Sequence, residues 1–303
     1  MDQRQRDGLF KIAPEDIRFD CSMDRHTTFR VGGKAEAVCF PGELGHLRQM
    51  VSYLGAENIP HLIAGKGSNL LVRDGGYRGV VIILRGKLAA VEKDTGDDKT
   101  VLAGGGLTIG DLLSYCSHNG LTGLEFLAGI PGTVGGAVAM NAGAFGKEIG
   151  SMVQRIEVLT GQGVLTTMDR SELKFSYRDL SLGKGVVILS AGFELNKEKP
   201  EIISGRIADY LKSRQETQPL EYPNGGSVFK NPPGDYAGRL IERAGLKGKR
   251  IGGALISPKH ANFIVNTGGA KAQDILALMV LAREKVREET GIELDPEIRV
   301  VGI

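Results

Sequence analysis

The chain has 303 residues, of which 41% are hydrophobic and 24% are charged, as in folded globular proteins and unlike disordered chains. The formal net charge of +2 gives no electrostatic case for nucleic-acid binding, and no apolar run approaches the roughly 18 residues of a membrane span. Met1–Phe10 lacks the apolar core of a signal peptide, so we expect a cytoplasmic protein, and we expect it to act as a monomer.

The first part of the chain alternates strand and helix patterns. Ala35–Phe40 and His61–Ala64 are predicted strands, and Leu44–Leu54 between them has apolar residues at helical spacing. Gly79–Leu84 is apolar and β-branched, which predicts a buried strand. The strand–helix–strand order predicts a parallel pair with a right-handed crossover.

The middle of the chain is richer in strands. We expect a charged hairpin tip and a domain boundary in Glu92–Thr100, and a helix over Ile109–His118. Gln162-Gly163 predicts a tight hairpin, and the surrounding pattern predicts a mixed or antiparallel sheet. Val101–Gly106 leads to this helix, and three strand-like runs follow it, over Arg155–Thr160, Val164–Met168 and Val186–Glu194.

The last part of the chain, after a charged run at Asn196–Pro200, has an α+β pattern. Three amphipathic helices are predicted over Glu201–Gln215, Asp235–Ala244 and Ala272–Glu289. Short strands are predicted over Ser227–Lys230, Ala261–Asn266 and Ile298–Val301. The predicted organisation is an N-terminal extension (1–19) followed by domains at 20–90, 91–197 and 198–303.

Glycine accounts for 44 residues, and the excess is concentrated in loops between apolar segments. One glycine-rich segment, Gly65-Lys66-Gly67-Ser68-Asn69, follows a predicted strand and precedes Leu70. Its backbone N–H groups could converge on an anion, or the segment could be a tight turn. Taken alone, the segment favours the turn. No G-x-G-x-x-G and no G-x-x-x-x-G-K-[ST] occurs in the chain.

A second glycine-rich stretch runs from Gly129 to Gly146 and is almost uncharged. Small residues let a backbone lie directly against a flat or extended ligand, with N–H groups as the contacts, and Pro131 stiffens the loop. The alternative is close packing of a glycine-rich helix start. Two such loops favour a dinucleotide over a single phosphate.

Polar candidates lie outside these loops. Arg178 either clamps a carboxylate or phosphate or pairs with Asp179, and the surface pair is favoured without context. Ser227 follows two glycines, which have no side chains to cover its hydroxyl. The hydroxyl could therefore contact a ligand, or it could cap a glycine-rich turn. Glu297, at the edge of a predicted strand, is by itself a solvated charge.

Lys212 and Arg214 end a predicted helix, where cations either complement the dipole or bind phosphate. The five histidines show no metal-ligand spacing, so we predict no metal site.

In this order the segments resemble one family, the UDP-N-acetylenolpyruvoylglucosamine reductases, from about Asp20 to Ile303. Each motif is weak alone, but the ordered set is highly specific. The motifs that carry the resemblance are Thr28–Gly33, Gly67–Leu71, Gly129–Gly136, Asn141–Gly146, Phe175–Arg178, Gly226–Pro232 and Pro296–Arg299.

The resemblance implies a vanillyl-alcohol-oxidase-type (PCMH-type) FAD-binding fold of two subdomains, 20–90 and 91–197, with an α+β substrate-binding domain at 198–303. It implies non-covalent FAD, reduced by NADPH, and reduction of UDP-N-acetylglucosamine enolpyruvate to UDP-N-acetylmuramate in peptidoglycan precursor synthesis. A hydride would pass from flavin N5 to the vinyl carbon. Ser227 would supply the proton, and Arg178 and Glu297 would stabilise the intermediate, Glu297 as a protonated hydrogen-bond donor.

The same resemblance and the glycine loops together give the expected ligand contacts. The cofactor-binding candidates are Gly65, Lys66, Gly67, Ser68, Asn69, Leu70, Gly129, Ile130, Pro131, Gly132, Thr133, Gly135, Gly136, Ala137, Asn141, Ala142, Gly143 and Ile188. The substrate-binding candidates are Tyr177, Lys212, Arg214, Asn231, His260 and Asn262.

Two departures from the family pattern stand out. Only eight residues separate Tyr177 from Val186, so the chain resembles the shorter subtype without a substrate-covering loop. The second departure is Gly225, which precedes Gly226 at a position where a larger residue is expected. Two alternatives are another flavin oxidase of the same fold, acting on a sugar or alcohol, and a non-catalytic nucleotide-binding protein.

Overall fold

A computed structural model describes residues 1–93, 99–183 and 185–303. The helices of the described chain are α1 (Gln3–Ile12), α2 (Leu44–Ala56), α3 (Ile109–His118), α4 (Val134–Ala139), α5 (Pro200–Thr217), α6 (Ala237–Arg243) and α7 (Ala272–Thr290). Short 3-10 helices span Pro14–Asp16, Met23–Arg25, Gly86–Ala89, Glu125–Leu127 and Ile149–Ser151. Within these described ranges, no helix is long and apolar enough to cross a membrane.

The strands are mostly short. In chain order they are β1 (Ile17–Ser22), β2 (Lys34–Cys39), β3 (His61–Ile63), β4 (Leu70–Val72), β5 (Tyr77–Ile82), β6 (Val91–Lys93), β7 (Thr100–Gly104), β8 (Leu121–Thr122), β9 (Gly143–Ala144), β10 (Lys147–Glu148), β11 (Val153–Leu159), β12 (Leu165–Asp169), β13 (Phe175–Ser176), β14 (Asp179–Leu180), β15 (Val187–Glu194), β16 (Asn196–Lys197), β17 (Arg250–Ile251), β18 (Ala254–Ile256), β19 (Ile264–Asn266) and β20 (Arg299–Val301).

The chain divides into two compact units, each built from separate segments. Unit one comprises Met1–Phe19, Glu36–Gly65 and Gly79–Lys212. Unit two comprises Asp20–Ala35, Lys66–Arg78 and Ser213–Ile303. The domain boundaries expected from the sequence stay a prediction.

The first core of unit one lies between helices and a small sheet in the order β1-β2-β5-β3. Helix α1 begins with a capping box formed by Asp2 and Gln5, and it buries Leu9 in this core. Strand β3 pairs in parallel with β5, so the expected pairing of β3 with β2 is wrong. All of Gly79–Ile82 is buried, and the more apolar strand takes the interior position.

The second core of unit one lies on an antiparallel sheet in the order β12-β11-β15-β7-β6. The expected hairpin is confirmed: β11 pairs with β12, and Gly163 in the loop has a left-handed φ of +77°. Helices α3 and α4 contribute Leu112, Leu113, Val134 and Val138 to this core. The expected hairpin tip in Glu92–Thr100 falls largely outside the described residues.

Unit two has its own core, formed by α6, α7 and the sheet β17-β18-β19. The apolar face predicted for α7 is confirmed by the burial of Ile275, Leu278, Met279, Ala282 and Val286. Strand β20 runs parallel to β4, which brings the end of the chain beside Leu70–Val72. The predicted strand Ser227–Lys230 is wrong; only an isolated bridge joins Phe229 to Pro296, because the preceding glycines turn the chain.

Several glycines are fixed by close backbone packing, and Gly105 is the clearest case. A Cβ at Gly105 would lie 3.1 Å from the carbonyl carbon of Ile188 and 3.3 Å from the oxygen of Leu189, and backbone cannot move aside. We expect Gly105→Ala to lower the free energy of unfolding by about 1–3 kcal/mol. Gly45→Ala on α2 is the control, since its Cβ position has no atom within 4 Å among the described residues, and it should be neutral or gain up to about 1 kcal/mol. Equal urea midpoints for the two variants would contradict this account.

Candidate functional site

In unit one, the glycine-rich loop rests on a buried apolar base. Gly129 has a left-handed φ of +77°, and α4 begins five residues later with Thr133 as its cap, whose Oγ1 accepts a hydrogen bond from Gly136 N at 3.4 Å. Val134 and Val138 of α4 are fully buried. Gly129, Pro131 and Gly136 are exposed, so the loop presents backbone without large side chains.

The glycines of this loop have two kinds of surroundings. A Cβ at Gly135 would lie 3.3 Å from both Gly105 Cα and Ile188 O, and a Cβ at Gly65 would press on the side chain of Thr133. These glycines are needed for packing. At Gly136 the nearest described atom within unit one is Thr133 Oγ1, at 3.5 Å.

The exposed edge of the loop therefore leaves its backbone accessible. A Cβ at Gly136 would have Thr133 Oγ1 as its one described neighbour within 4 Å, and the bare backbone allows a flat ligand to approach closely. Ile130 and Gly132 are half-buried beside this edge, and Ala137 belongs to the buried base. Ile188 of β15 contributes its carbonyl to the packing beneath Gly135, and its side chain is buried.

The loop continues into a two-stranded hairpin, β9–β10, that contacts Arg178. Ala142 is fixed by backbone hydrogen bonds to Ala137 O at 2.8 Å and from Ile149 N at 2.9 Å. Arg178 lies in the turn between β13 and β14, and its Nη2 donates to Gly143 O at 3.1 Å. Its guanidinium lies 5.0 Å from the ring centre of Tyr177. Tyr177, Arg178 and Gly143 are thus brought together.

In unit two, Lys66–Leu70 forms a tight turn that leads into β4. Leu70 N donates to Gly67 O at 3.3 Å, and Gly67 has a left-handed φ of +63°, so this segment is a tight turn, while its binding of a cofactor stays a prediction. Lys66 is exposed and Ser68 is half-buried. Asn69 Nδ2 donates to Glu297 O at 2.9 Å, which ties the turn to the C-terminal segment.

Ser227 and Glu297 lie on neighbouring segments of unit two. Val228 N donates to Asn262 O at 2.9 Å, and Glu297 N donates to Val228 O at 2.8 Å. Val228 and Phe229 are buried, whereas Ser227 and Glu297 are half-buried. The peptide next to Ser227 is therefore fixed on both sides, and one of those contacts is Glu297.

Asn262 completes this arrangement with its side chain. Its Oδ1 accepts from Phe229 N at 3.0 Å and its Nδ2 donates to Phe229 O at 2.8 Å, and the residue is 3% exposed. Asn262 N donates to His260 Nδ1 at 3.2 Å, and the His260 ring contacts Phe263 with centroids 4.8 Å apart. Asn262 thus shapes the segment that carries Ser227.

The other substrate-binding candidates are spread over both units. Asn231 Oδ1 accepts from Ala237 N at 3.0 Å and so helps to begin α6. Lys212 is exposed on α5, and Arg214, two residues later, is buried with Nη1 3.4 Å from Gln218 Oε1. In the described part of the chain, no three His, Cys, Asp or Glu residues are grouped to hold a metal ion.

Glu148 and Ser176 are parts of the site that sequence reasoning missed. Both accept hydrogen bonds from the amide of Asn141, at 2.8 Å each. Two signals were available: Ser176 lies in the motif Phe175–Arg178, and Glu148 lies two residues after an almost uncharged loop.

Two family models match most of the chain. Residues 218–301 match the C-terminal domain of UDP-N-acetylenolpyruvoylglucosamine reductase, and residues 35–169 match an FAD binding domain.

Curated relatives carry the same description over nearly their whole length. The UDP-N-acetylenolpyruvoylglucosamine reductase of Geotalea uraniireducens is 45% identical over 288 residues, 95% of each chain. That of Syntrophus aciditrophicus is 46% identical over 94% of this chain and 92% of the relative.

Solved structures agree with these matches. The UDP-N-acetylenolpyruvylglucosamine reductase of Thermus caldophilus has a TM-score of 0.82 and 36% identity, covering 94% of this chain and 100% of its own. Berberine bridge enzyme, at 15% identity and a TM-score of 0.51 over 66% of this chain and 44% of its own, shares the fold alone. The expected PCMH-type FAD-binding fold is confirmed.

Burial lowers the pKa of His260 below its ordinary value of 6.5, and nearby Lys247 lowers it further. Below pH 6.5 the unfolded chain therefore binds a proton that the folded chain resists, so stability present above that pH is lost as the pH falls. We expect His260→Gln to reduce the fall in stability between pH 7 and pH 5, by at most about 1.4 kcal/mol per pH unit. Urea unfolding at several pH values measures this, with His118→Gln, at an exposed position, as the control. An unchanged pH slope in the His260 variant would contradict the prediction.

Proposed function

Because the chain belongs to the UDP-N-acetylenolpyruvoylglucosamine reductase family, we propose that Arg178, Ser227 and Glu297 carry out the family's reaction here. The chain is an FAD-dependent oxidoreductase that uses NADPH to reduce UDP-N-acetylglucosamine enolpyruvate to UDP-N-acetylmuramate, in peptidoglycan precursor synthesis. The observation that best supports the residue roles is the hydrogen bond from Glu297 N to Val228 O, at 2.8 Å, which joins the segment of Ser227 to that of Glu297.

When bound, FAD accepts a hydride from NADPH and supplies it to the double bond of the substrate. The residues proposed to hold it are those of the exposed loop edge, Gly129–Gly132 and Gly136, with Ala142, Gly143 and the turn Lys66–Leu70. Support comes from the exposure of Gly129, Pro131 and Gly136 and from the small residues along that edge. Gly65 and Gly135 serve mainly to let the loop pack closely.

Arg178 is proposed to bind the substrate carboxylate. When the vinyl carbon takes up hydride, negative charge develops on the adjacent carbon and spreads into that carboxylate. A guanidinium already fixed in place stabilises this charge without reorganising. The hydrogen bond from Arg178 to Gly143 O, at 3.1 Å, supports such a fixed orientation.

Ser227 is proposed to donate the proton to the carbon that bears the carboxylate. An alcohol is a weak acid, so the transfer needs a strongly basic carbon and close positioning. The bonds of Asn262 and Glu297 to the Val228 peptide restrict the backbone beside Ser227, which supports this role. Gly226, with φ +74°, lets the chain turn so that the serine side chain is half-exposed.

Glu297 is proposed to act as a protonated donor to the substrate carboxylate. A carboxyl placed against another carboxylate favours its neutral form, and the neutral form can donate a hydrogen bond. Its backbone N–H donates to Val228 O and its carbonyl accepts from Asn69 Nδ2, so the backbone that carries its side chain is fixed.

The UDP-sugar is proposed to contact Tyr177, Lys212, Arg214 and His260. The side chains of Asn231 and Asn262 bond to Ala237 and Phe229, so these two residues shape the site. We further propose three domains at 20–90, 91–197 and 198–303, and action as a monomer in the cytoplasm, where NADPH and nucleotide sugars are available.

Ser227→Ala should separate the two halves of the reaction. Reduction of bound FAD by NADPH should continue at the wild-type rate, whereas substrate-dependent NADPH oxidation should fall by about 10²–10⁴-fold, the usual contribution of a general acid. Stopped-flow flavin absorbance with and without UDP-N-acetylglucosamine enolpyruvate measures both rates. Ser204→Ala, at an exposed serine of α5, is the matched control. Full turnover by Ser227→Ala would remove the proposed proton donor.

Two substitutions at Glu297 distinguish a donor from a negative charge. Glu297→Gln keeps an N–H donor and should retain turnover within about tenfold, whereas Glu297→Ala should lose about 10²–10³-fold, as when one oxyanion donor is removed. Steady-state kcat at saturating NADPH and substrate measures the difference. Losses of equal size in both variants would exclude the donor role.

A further inference from the structure

We propose that Asn141 is a positioning residue that fixes Arg178 for the substrate carboxylate. This inference rests on the proposed role of Arg178. It goes beyond that role because it assigns Asn141 to the geometry of the catalytic arginine rather than to cofactor contact.

The side-chain amide of Asn141 is saturated by contacts within unit one. Its Nδ2 donates to Glu148 Oε2 and to Ser176 O, both at 2.8 Å, and its Oδ1 accepts from Gly150 N at 3.0 Å. The residue is 1% exposed. Both amide hydrogens are therefore engaged by protein acceptors. We call Asn141, Glu148, Gly150 and Ser176 the Asn141 clamp.

The clamp reaches Arg178 first through the backbone. Ser176 pairs with Asp179 across the β13–β14 turn, and Arg178 is the third residue of that four-residue turn with a left-handed φ of +59°. Such a position normally takes glycine or asparagine, so an arginine there needs support from its surroundings. The carbonyl at the start of the turn, Ser176 O, is the one that Asn141 holds.

The clamp reaches Arg178 a second time through the guanidinium. Glu148, held by Asn141, pairs with Gly143 across the β9–β10 hairpin, and Gly143 O accepts from Arg178 Nη2. A Cβ at position 143 would lie 3.0 Å from Glu148 Cγ and 3.1 Å from Arg178 Nη1. Both the backbone and the charged end of Arg178 thus depend on segments that one buried amide joins.

The backbone of Asn141 allows a selective test. Its φ is +42°, a conformation that asparagine tolerates and glycine adopts freely. Asn141→Gly therefore removes the amide while it permits the same backbone. Asn141→Asp has the same shape and replaces the two donated hydrogen bonds by oxygen facing oxygen, so it serves as the second variant if the glycine variant does not fold.

The experiment measures two affinities and one rate in the FAD-loaded protein. Calorimetry gives the Kd for UDP-N-acetylmuramate, which bears the carboxylate, and for UDP-N-acetylglucosamine, which lacks it, and turnover gives kcat. The proteins are wild type, Asn141→Gly, Arg178→Ala and the double variant. Asn119→Gly is the control, because it also removes an asparagine amide, one that donates to Tyr115 O at an exposed site.

We expect Asn141→Gly to weaken binding of the carboxylate-bearing nucleotide at least tenfold and to change binding of UDP-N-acetylglucosamine less than twofold. Turnover should fall 10- to 100-fold with FAD content close to that of Asn119→Gly, whereas the melting temperature should be lower than that of Asn119→Gly, because three buried partners lose their hydrogen bonds. In the Arg178→Ala background, Asn141→Gly should change the Kd for UDP-N-acetylmuramate less than twofold.

Other outcomes overturn the inference. Loss of FAD from the Asn141 variants would make the residue a cofactor contact. If Asn141→Gly raised the Kd of both nucleotides equally, Asn141 would not act through Arg178. The same conclusion would follow if Asn141→Gly raised the Kd for UDP-N-acetylmuramate as much in the Arg178→Ala background as in the wild type. Arg178→Ala that still distinguishes the two nucleotides would instead refute the proposed role of Arg178 itself.

Discussion

The proposed catalytic arrangement of unit two depends on the backbone of one residue, Val228, through both its N–H and its carbonyl. Its N–H donates to Asn262 O and its carbonyl accepts from Glu297 N, so a buried segment is held between two others by backbone hydrogen bonds alone. Such bonds in a buried site are costly to leave unmade, which makes the arrangement rigid. Ser227 and Glu297 extend from either side of this junction and remain half-exposed. The two proposed acid groups are thus carried on neighbouring segments that one hydrogen bond joins.

The glycine excess combines two physical requirements that look the same in a sequence. Gly105 and Gly135 let strands and α4 approach each other more closely than any side chain permits, whereas Gly136 leaves the loop edge open. The first requirement gives a rigid base and the second gives access to the backbone. The proposed binding of FAD by this loop needs both, because a bare loop that could move would have to be ordered at the expense of binding free energy. The same loop continues to Gly143, whose carbonyl holds Arg178.

Much of the fold was predictable because periodicity is a local signal. The apolar face of α7, the helix Ile109–His118 and the hairpin at Gly163 all follow from residues close in sequence. Helix α1 was missed because it has one buried residue and relies on a capping box. The motifs pointed to Arg178, Ser227 and Glu297 as site candidates. The structural roles of Asn141 and Asn262 could not be predicted, because their side chains bond to Ser176 and Phe229, each over thirty residues away in the sequence.

The most direct test of the account is a crystal structure of the protein with FAD and UDP-N-acetylglucosamine enolpyruvate bound. The account predicts that Ser227 Oγ lies within about 3.5 Å of the carbon that bears the carboxylate, as a reacting pair requires. It also predicts that the carboxylate accepts hydrogen bonds from both Arg178 and the carboxyl of Glu297. A complex in which Ser227 faces away from that carbon, or in which the carboxylate is held by other residues, would contradict the central claim.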